Sequence, residues 1–208
     1  PAKSRRDSFD ASSTTLGMTI DANTGAFSWT PTEAQGGLTP NVTVTVSDGI
    51  TTDSQGFTIS VTDANEAPTA IGLSNLSVAE NAAGAVIGNL STTDADGGDS
   101  HIYMVDDTRF EVVGGQLKLK AGQSLDHETE PSVTLTVTST DTGTLSTSQG
   151  FTISVTDAND APVITSSSFN AAENQTAVSS VLATDADVPA DTLSWSLTGG
   201  GADSGLFT

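Results

Sequence analysis

A thirteen-residue segment occurs twice in this chain. "GFTISVTDANEAP" at 56–68 returns as "GFTISVTDANDAP" at 150–162, with Asp160 replacing Glu66. "AEN" at 79–81 returns at 172–174, and "TDAD" at 93–96 returns at 184–187, in the same order. The offsets are 94, 93 and 91 residues, the size of one small sandwich domain. Self-similarity at a fixed spacing means that one structural unit is used more than once. Over 208 residues this predicts one whole unit at 67–160, the back part of a unit at 17–66, and the front part of another at 161–208. Residues 1–16 are set aside as a poorly defined end, because Lys3, Arg5 and Arg6 give that stretch a character unlike the rest.

Inside each unit the period is two. Val42, Val44 and Val46 alternate with Thr43, Thr45 and Ser47, the pattern of a strand with one face in a core. Phe57, Ile59 and Val61 repeat it, as do Val133, Leu135 and Val137, then Phe151, Ile153 and Val155. Thr and Val are β-branched and suit a pleated surface. No stretch carries a 3.6-residue apolar period with helix caps. The expected class is all-β: tandem antiparallel Greek-key β-sandwiches, one complete and two partial. Trp29 alternates with Phe27, and Trp195 with Leu193 and Leu197, so both indoles are expected in a core.

Charge narrows the function classes. Against 26 acidic residues stand 6 Lys and Arg, a net of −20, so nucleic acid and anionic membrane surfaces are repelled. Cysteine is absent, which removes disulfides and thiolate metal sites. No run of about 18 apolar residues is present, so direct membrane insertion is not expected. If the protein is exported, the address lies outside this stretch.

The acids are not spread evenly. Glu80, Asp126 and Glu128 of "LDHE", Asp157, Asn159 and Asp160 of the repeated segment, and Asp185 and Asp187 of "DAD" gather about a strand end and the linker that follows it. Pro162 restricts the residue before it and extends that linker. Crowded carboxylates repel unless a cation sits among them. Ca²⁺, with 6 to 8 oxygen ligands, matches carboxylate, amide and carbonyl donors; Mg²⁺ fits less well. Zinc is poorly served by His101 and His127 alone.

Taken together, these motifs resemble cadherin repeats, particularly the bacterial cadherin-like type of large exported surface proteins. Cadherins surround calcium with an x-Glu-x, an Asp-Arg-Glu, an Asp-x-Asn-Asp-x-x-Pro linker, and an Asp-x-Asp and x-Asp-x from the next domain. The resemblance assigns Glu80 to the first, and Asp126 and Glu128 to the second with His127 pointing outward between them. Asp157, Asn159 and Asp160 match the linker, and Asp185 and Asp187 the Asp-x-Asp. Glu173 is the x-Glu-x of the following unit. For the earlier junction the same reasoning assigns Asp63, Asn65 and Glu66 to the linker, Asp94 and Asp96 to the Asp-x-Asp, Asp141 to the x-Asp-x, and Glu33 to the Asp-Arg-Glu acid. Pro31 and Thr32 beside Glu33 depart from that motif, and "IDANTGAFSWTPT" looks more like the dystroglycan-type relatives. Both linkers are one residue shorter before the proline than in vertebrate cadherins.

Three functional readings follow. The resemblance implies an extracellular, non-enzymatic, calcium-rigidified spacer or adhesion module of a cell-surface adhesin, whose partners are calcium ions, neighbouring repeats and another surface protein or polysaccharide. Direct carbohydrate or homophilic recognition is the alternative, and an accessory domain of a hydrolase the third. No phosphate-binding loop or nucleophile elbow is present, so an enzyme is not expected.

Overall fold

The computed structural model describes residues 6–9, 16–166, 168, 174, 180–187 and 191–196. Within them the chain is all-β, with a single 3₁₀ turn at Glu33–Gln35. It divides into two compact units, one built on residues 1–67 with the loops 94–99 and 142–145, the other on 68–93, 100–141 and 146–208. Much of the part unit expected at 161–208 lies outside the described residues. Glu173, Leu197 and the other notable residues beyond 196 lie outside the described residues.

The second unit is a β-sandwich. Strands β6 (Ala70–Leu73), β8 (Val86–Thr93), β10 (Phe110–Val113) and β11 (Gln116–Leu119) form one sheet in the order β10-β11-β8-β6. Strands β7 (Ser77–Ala79), β9 (Ile102–Val105), β12 (Ser132–Thr140) and β13 (Ser146–Thr156) form the other, in the order β7-β13-β12-β9. Pairing is antiparallel except for β7 on β13, which is parallel. The period-two pattern does what it predicts: Val133, Leu135, Val137, Ile153 and Val155 are buried against Ile71, Val78, Ile87, Phe110, Leu117, Leu119 and Leu125. Ser139 takes the next inward position of β12 and is also buried; its hydroxyl is satisfied by Thr92 Oγ1 at 2.8 Å, which in turn meets Tyr103 Oη at 2.8 Å. A buried hydroxyl is tolerated only with such partners.

The first unit has β1 (Arg6–Phe9), β4 (Asn41–Ser47) and β5 (Thr52–Thr58) in the order β1-β4-β5, with a small hairpin of β2 (Thr19–Ile20) and β3 (Phe27–Ser28). Arg6–Phe9 is therefore a paired strand, although it falls in the stretch set aside as an undefined end. Asp21 makes the hairpin turn: its Oδ1 accepts from the N–H groups of Asn23 at 2.9 Å and Thr24 at 2.8 Å, an Asx turn.

Alternation is less well rewarded here. Val42 and Met18 are buried, Val44, Ile59 and Val61 half-buried, but Val46, Phe27 and Phe57 are exposed. Among the described residues no second full sheet faces β4 and β5, so an apolar alternation cannot by itself produce burial. Trp29 is half-buried and donates from Nε1 to the Leu16 carbonyl at 2.9 Å. Trp195 is exposed, contrary to the core position expected from its alternation with Leu193.

The two units should therefore answer truncation differently. Leu135→Ala, in the packed core, is expected to cost about 2–5 kcal/mol of unfolding free energy, whereas Val46→Ala, on the open face, should change it by less than about 0.5 kcal/mol. Urea unfolding followed by circular dichroism measures both, and equal effects would contradict the packing described.

Candidate metal centres

In the first unit three carboxylates converge from distant sequence positions. Glu33 stands in the first turn of the 3₁₀ segment, whose Thr32 N–H is capped by Gln35 Oε1 at 2.8 Å. Glu66 follows β5 in the repeated segment, and Asp96 lies in the 94–99 loop. Oxygens of Glu33, Glu66 and Asp96 lie within 4.8 Å of one another. The Glu66 N–H donates to Asp96 Oδ2 at 2.8 Å, while Glu66 Oε2 is buried with no hydrogen-bond partner. Burial, then the Glu33 carboxyl beside it, with Asp96 and Asp63 adding repulsion, raise the Glu66 pKa above the ordinary carboxylate range.

The same loop forms a second triad, Asp94, Asp96 and Asp99, again within 4.8 Å. Asp99 accepts from Thr142 Oγ1 at 3.0 Å. The cadherin-like motifs do not single it out, although "DADGGD" places a third acid three residues after Asp96. Two glycines make room for the linker side chains. A Cβ on Gly36 would lie 1.6 Å from Asp63 Oδ1, and one on Gly143 would lie 2.1 Å from Asn65 Oδ1. A methyl group at either place would displace the side chain opposite, so each glycine makes room for it.

In the second unit Glu80 follows β7 and is buried, yet fully used. Its Oε2 accepts the His127 N–H and its Oε1 the Ala158 N–H, both at 2.7 Å. These two backbone donors lower its pKa, against the opposing effect of burial. Glu80 thereby pins the 126–128 turn to the start of the linker. Oxygens of Glu80, Asp126 and Glu128 lie within 4.8 Å of one another, and those of Glu128 and Asp157 share a second group with a His127 ring nitrogen. His127 does not point outward: it is half-buried and its Nδ1 lies 2.7 Å from the Val155 carbonyl. Both Glu128 oxygens are buried without a hydrogen-bond partner. Burial chiefly, and then the Glu80 and Asp157 charges, raise the Glu128 pKa.

Further along the linker, the Asp160 N–H donates to both Asp187 oxygens, at 3.1 and 3.2 Å, and Asp160 Oδ1 accepts from Asn81 Nδ2 at 2.8 Å. The Asp187 N–H in turn donates to Asp185 Oδ1 at 3.2 Å. The bond from Asp160 lowers the Asp187 pKa, but burial and the neighbouring Asp185 and Asp157 carboxylates outweigh it, and the net shift is upward. Asn159 turns its Nδ2 onto the Asp160 carbonyl at 2.7 Å. Asp141 is buried after β12 and belongs to neither triad of the first unit.

Whether these places fit a cation can be tested on the side chains themselves. Three buried carboxylate oxygens, Glu66 Oε2 and both of Glu128, have no protein donor. A buried anion without donor or counter-charge is unfavourable. Almost every donor is an oxygen, the set that suits a hard divalent ion of the calcium type. The residues present fit it.

Comparison with known proteins agrees with the fold. The family model described as "Putative Ig domain" matches residues 4–62. The protocadherin gamma B4 extracellular domain superposes with a TM-score of 0.64 at 26% identity, over 88% of this chain and 32% of that one. Protocadherin gamma B2 extracellular cadherin domains 1–5 give 0.63 at 22%, over 88% and 39%. Human CDH23 EC21-23 gives 0.66 at 18%, over 89% and 70%. The chain thus spans about two fifths or less of either protocadherin structure. No curated protein matches it. Among the described residues no helix is long and apolar enough to cross a membrane.

The opposed shifts at Glu80 and Glu128 give a signed pH dependence in chelator. For Glu128 the folded pKa is raised, so its contribution to stability is fully present below the unfolded value of about 4.3 and is lost as pH rises through the folded pKa. Glu128→Gln removes that loss. The variant should melt higher than the parent at pH 7 in EDTA and match it near pH 4; a lower melting temperature at pH 7 would count against the orphaned carboxylate.

Proposed function

From a chain whose fold is that of cadherin extracellular repeats, we propose a calcium-binding segment of an extracellular surface protein, acting as a spacer that calcium makes rigid or as an adhesion module. The observation that carries this reading is the set of buried carboxylate oxygens that no protein group satisfies, Glu66 Oε2 and both oxygens of Glu128, each surrounded by further acids.

Glu33, Asp63, Asn65, Glu66, Asp94 and Asp96 would hold the ion or ions of the first centre, with Asp99 joining them and Asp141 contributing by resemblance. Glu80, Asp126, Glu128, Asp157, Asn159, Asp160, Asp185 and Asp187 would hold those of the second. Bound calcium supplies positive charge that cancels the repulsion among these groups. The chain's own residues do the rest. Glu80, already satisfied by two backbone donors, keeps the 126–128 turn at the linker, and Asp160 ties the linker to Asp187.

The mechanism is electrostatic. Without a cation the raised carboxylates push their segments apart; with one, the same groups draw turn, linker and loop together. Extracellular calcium modules bind at about 10⁻⁴–10⁻³ M, so the surrounding medium acts as the signal. Such a segment performs no catalysis, since its carboxylates serve ligation. Its partners are calcium ions and neighbouring repeats, with a surface protein or polysaccharide as the object of adhesion.

Small-angle scattering in EDTA, millimolar Ca²⁺ and millimolar Mg²⁺ tests the reading. A calcium-specific rise in maximum dimension with a narrower spread of conformers is expected; identical profiles in all three would reject it. Asp157→Asn with Asp160→Asn should abolish the response of the second centre while leaving the sandwich spectrum intact. Gly143→Ala, which displaces Asn65, should weaken calcium binding at the first centre by roughly 10–100-fold, the range for groups that orient metal ligands.

A further inference from the structure

Asn81 is one of three non-glycine residues with a positive φ among the described residues, at 58°, and Asn174 is another, at 64°. Each is the third residue of an "AEN" motif, so the left-handed conformation recurs with the motif. Most residues with a Cβ adopt it at a cost; Gly, Asn and Asp are the types that visit it readily. Of these, only Asn carries a side-chain N–H donor.

That turn sets Asn81 where three segments meet. Its backbone N–H donates to the Leu125 carbonyl at 3.0 Å, at the head of the "LDHE" turn, whose Leu125 side chain is buried in the core. The preceding Glu80 N–H donates to the Thr156 carbonyl at 3.1 Å, at the end of β13. With its backbone fixed on both sides, Asn81 extends its amide to the linker, where Nδ2 donates to Asp160 Oδ1 at 2.8 Å. Asp160 is half-buried and lies against Asp187, whose own N–H is bonded to Asp185. Like charge pushes the Asp160 carboxylate away from the other acids that a cation would gather. A Lys or Arg at position 81 would hold it by supplying the positive charge itself. An Asp would add to the repulsion, and a Gly would hold nothing. The amide of Asn81 restrains the carboxylate and leaves the charge of the centre unchanged.

We propose that Asn81 is a positioning residue of the second centre: its amide holds Asp160 Oδ1 and so orders the carboxylate, leaving Oδ2 to ligate the ion. This rests on the calcium-binding reading above and adds to it a residue that ligates nothing. The tether joins two protein groups and therefore persists in chelator. Calcium then meets a ligand that is already ordered, and binding is spared the entropy of ordering it.

Asn81→Gly keeps the left-handed turn and deletes the amide. Calorimetric titration in a Glu66→Gln background, which weakens the first centre, should show calcium bound roughly 10–100-fold more weakly than with Asn81 in place, the range for groups that orient metal ligands. The melting temperature in EDTA should stay close to that of the parent, as for a surface change. Amide exchange in EDTA should be about 2- to 12-fold faster at Asp160, the range for one net hydrogen bond, and unchanged at Leu135. Asp160→Ala shows whether Asn81 acts through that residue: on an Asp160→Ala chain, Asn81→Gly should change calcium affinity no further, because residues acting through one contact are not additive. Equal calcium binding with and without the amide, unchanged exchange at Asp160, a large fall in melting temperature in EDTA, or a loss of affinity that repeats in full on the Asp160→Ala chain would overturn the proposal and leave the calcium reading standing. A parent that binds no calcium would overturn that reading, and the proposal with it.

Discussion

Carboxylate oxygens that are buried and have no hydrogen-bond donor are the constraint on which the rest of the structure depends. A folded chain does not keep an unpaired anion out of water without a compensating charge or a shifted proton. Here burial and neighbouring acids raise the pKa of Glu66, Glu128 and Asp187, while two backbone N–H groups lower that of Glu80 beside Glu128. Crowded carboxylates with too few donors are the chemistry that a positive charge would relieve. Calcium is the ion that the oxygen donors suit.

The scaffold explains how acids from remote positions meet. In the second unit the parallel pairing of β7 on β13 sets Glu80, at the end of one strand, beside the residues that follow the other. The "LDHE" turn is then held by the Glu80 side chain, and its buried Leu125 anchors the turn in the core. In the first unit, Asp63 and Asn65 occupy the space that a Cβ on Gly36 and Gly143 would take. At 150–162 the repeated segment thus serves as core strand for half its length and as acid-bearing linker for the rest.

Much of this was legible in the sequence because its signals are local. Period-two alternation found the strands, and the repeated "VTDAN" marked the places where a strand gives way to acid. What alternation could not supply was the identity of the opposing layer. Val46 and Phe57 follow the same alternation as the buried Val133, Leu135 and Val137 but remain exposed, because burial requires a second sheet and the strand itself cannot provide it. Trp195 is exposed as well, and residues 191–196 form no strand on which alternation could act. Asp99 was not legible because its role depends on a loop fold that closes Asp94, Asp96 and Asp99 together. His127 turned inward because its ring found the Val155 carbonyl, a partner 28 residues away.

The most direct measurement is a calorimetric titration of Ca²⁺ into the chelator-stripped chain, repeated with Glu128→Gln and with Glu66→Gln. Saturable binding in the submillimolar to millimolar range is expected, weakened at separate centres by the two substitutions. The absence of binding heat, together with a melting temperature that does not move on adding millimolar calcium, would contradict a calcium-binding role for these carboxylates.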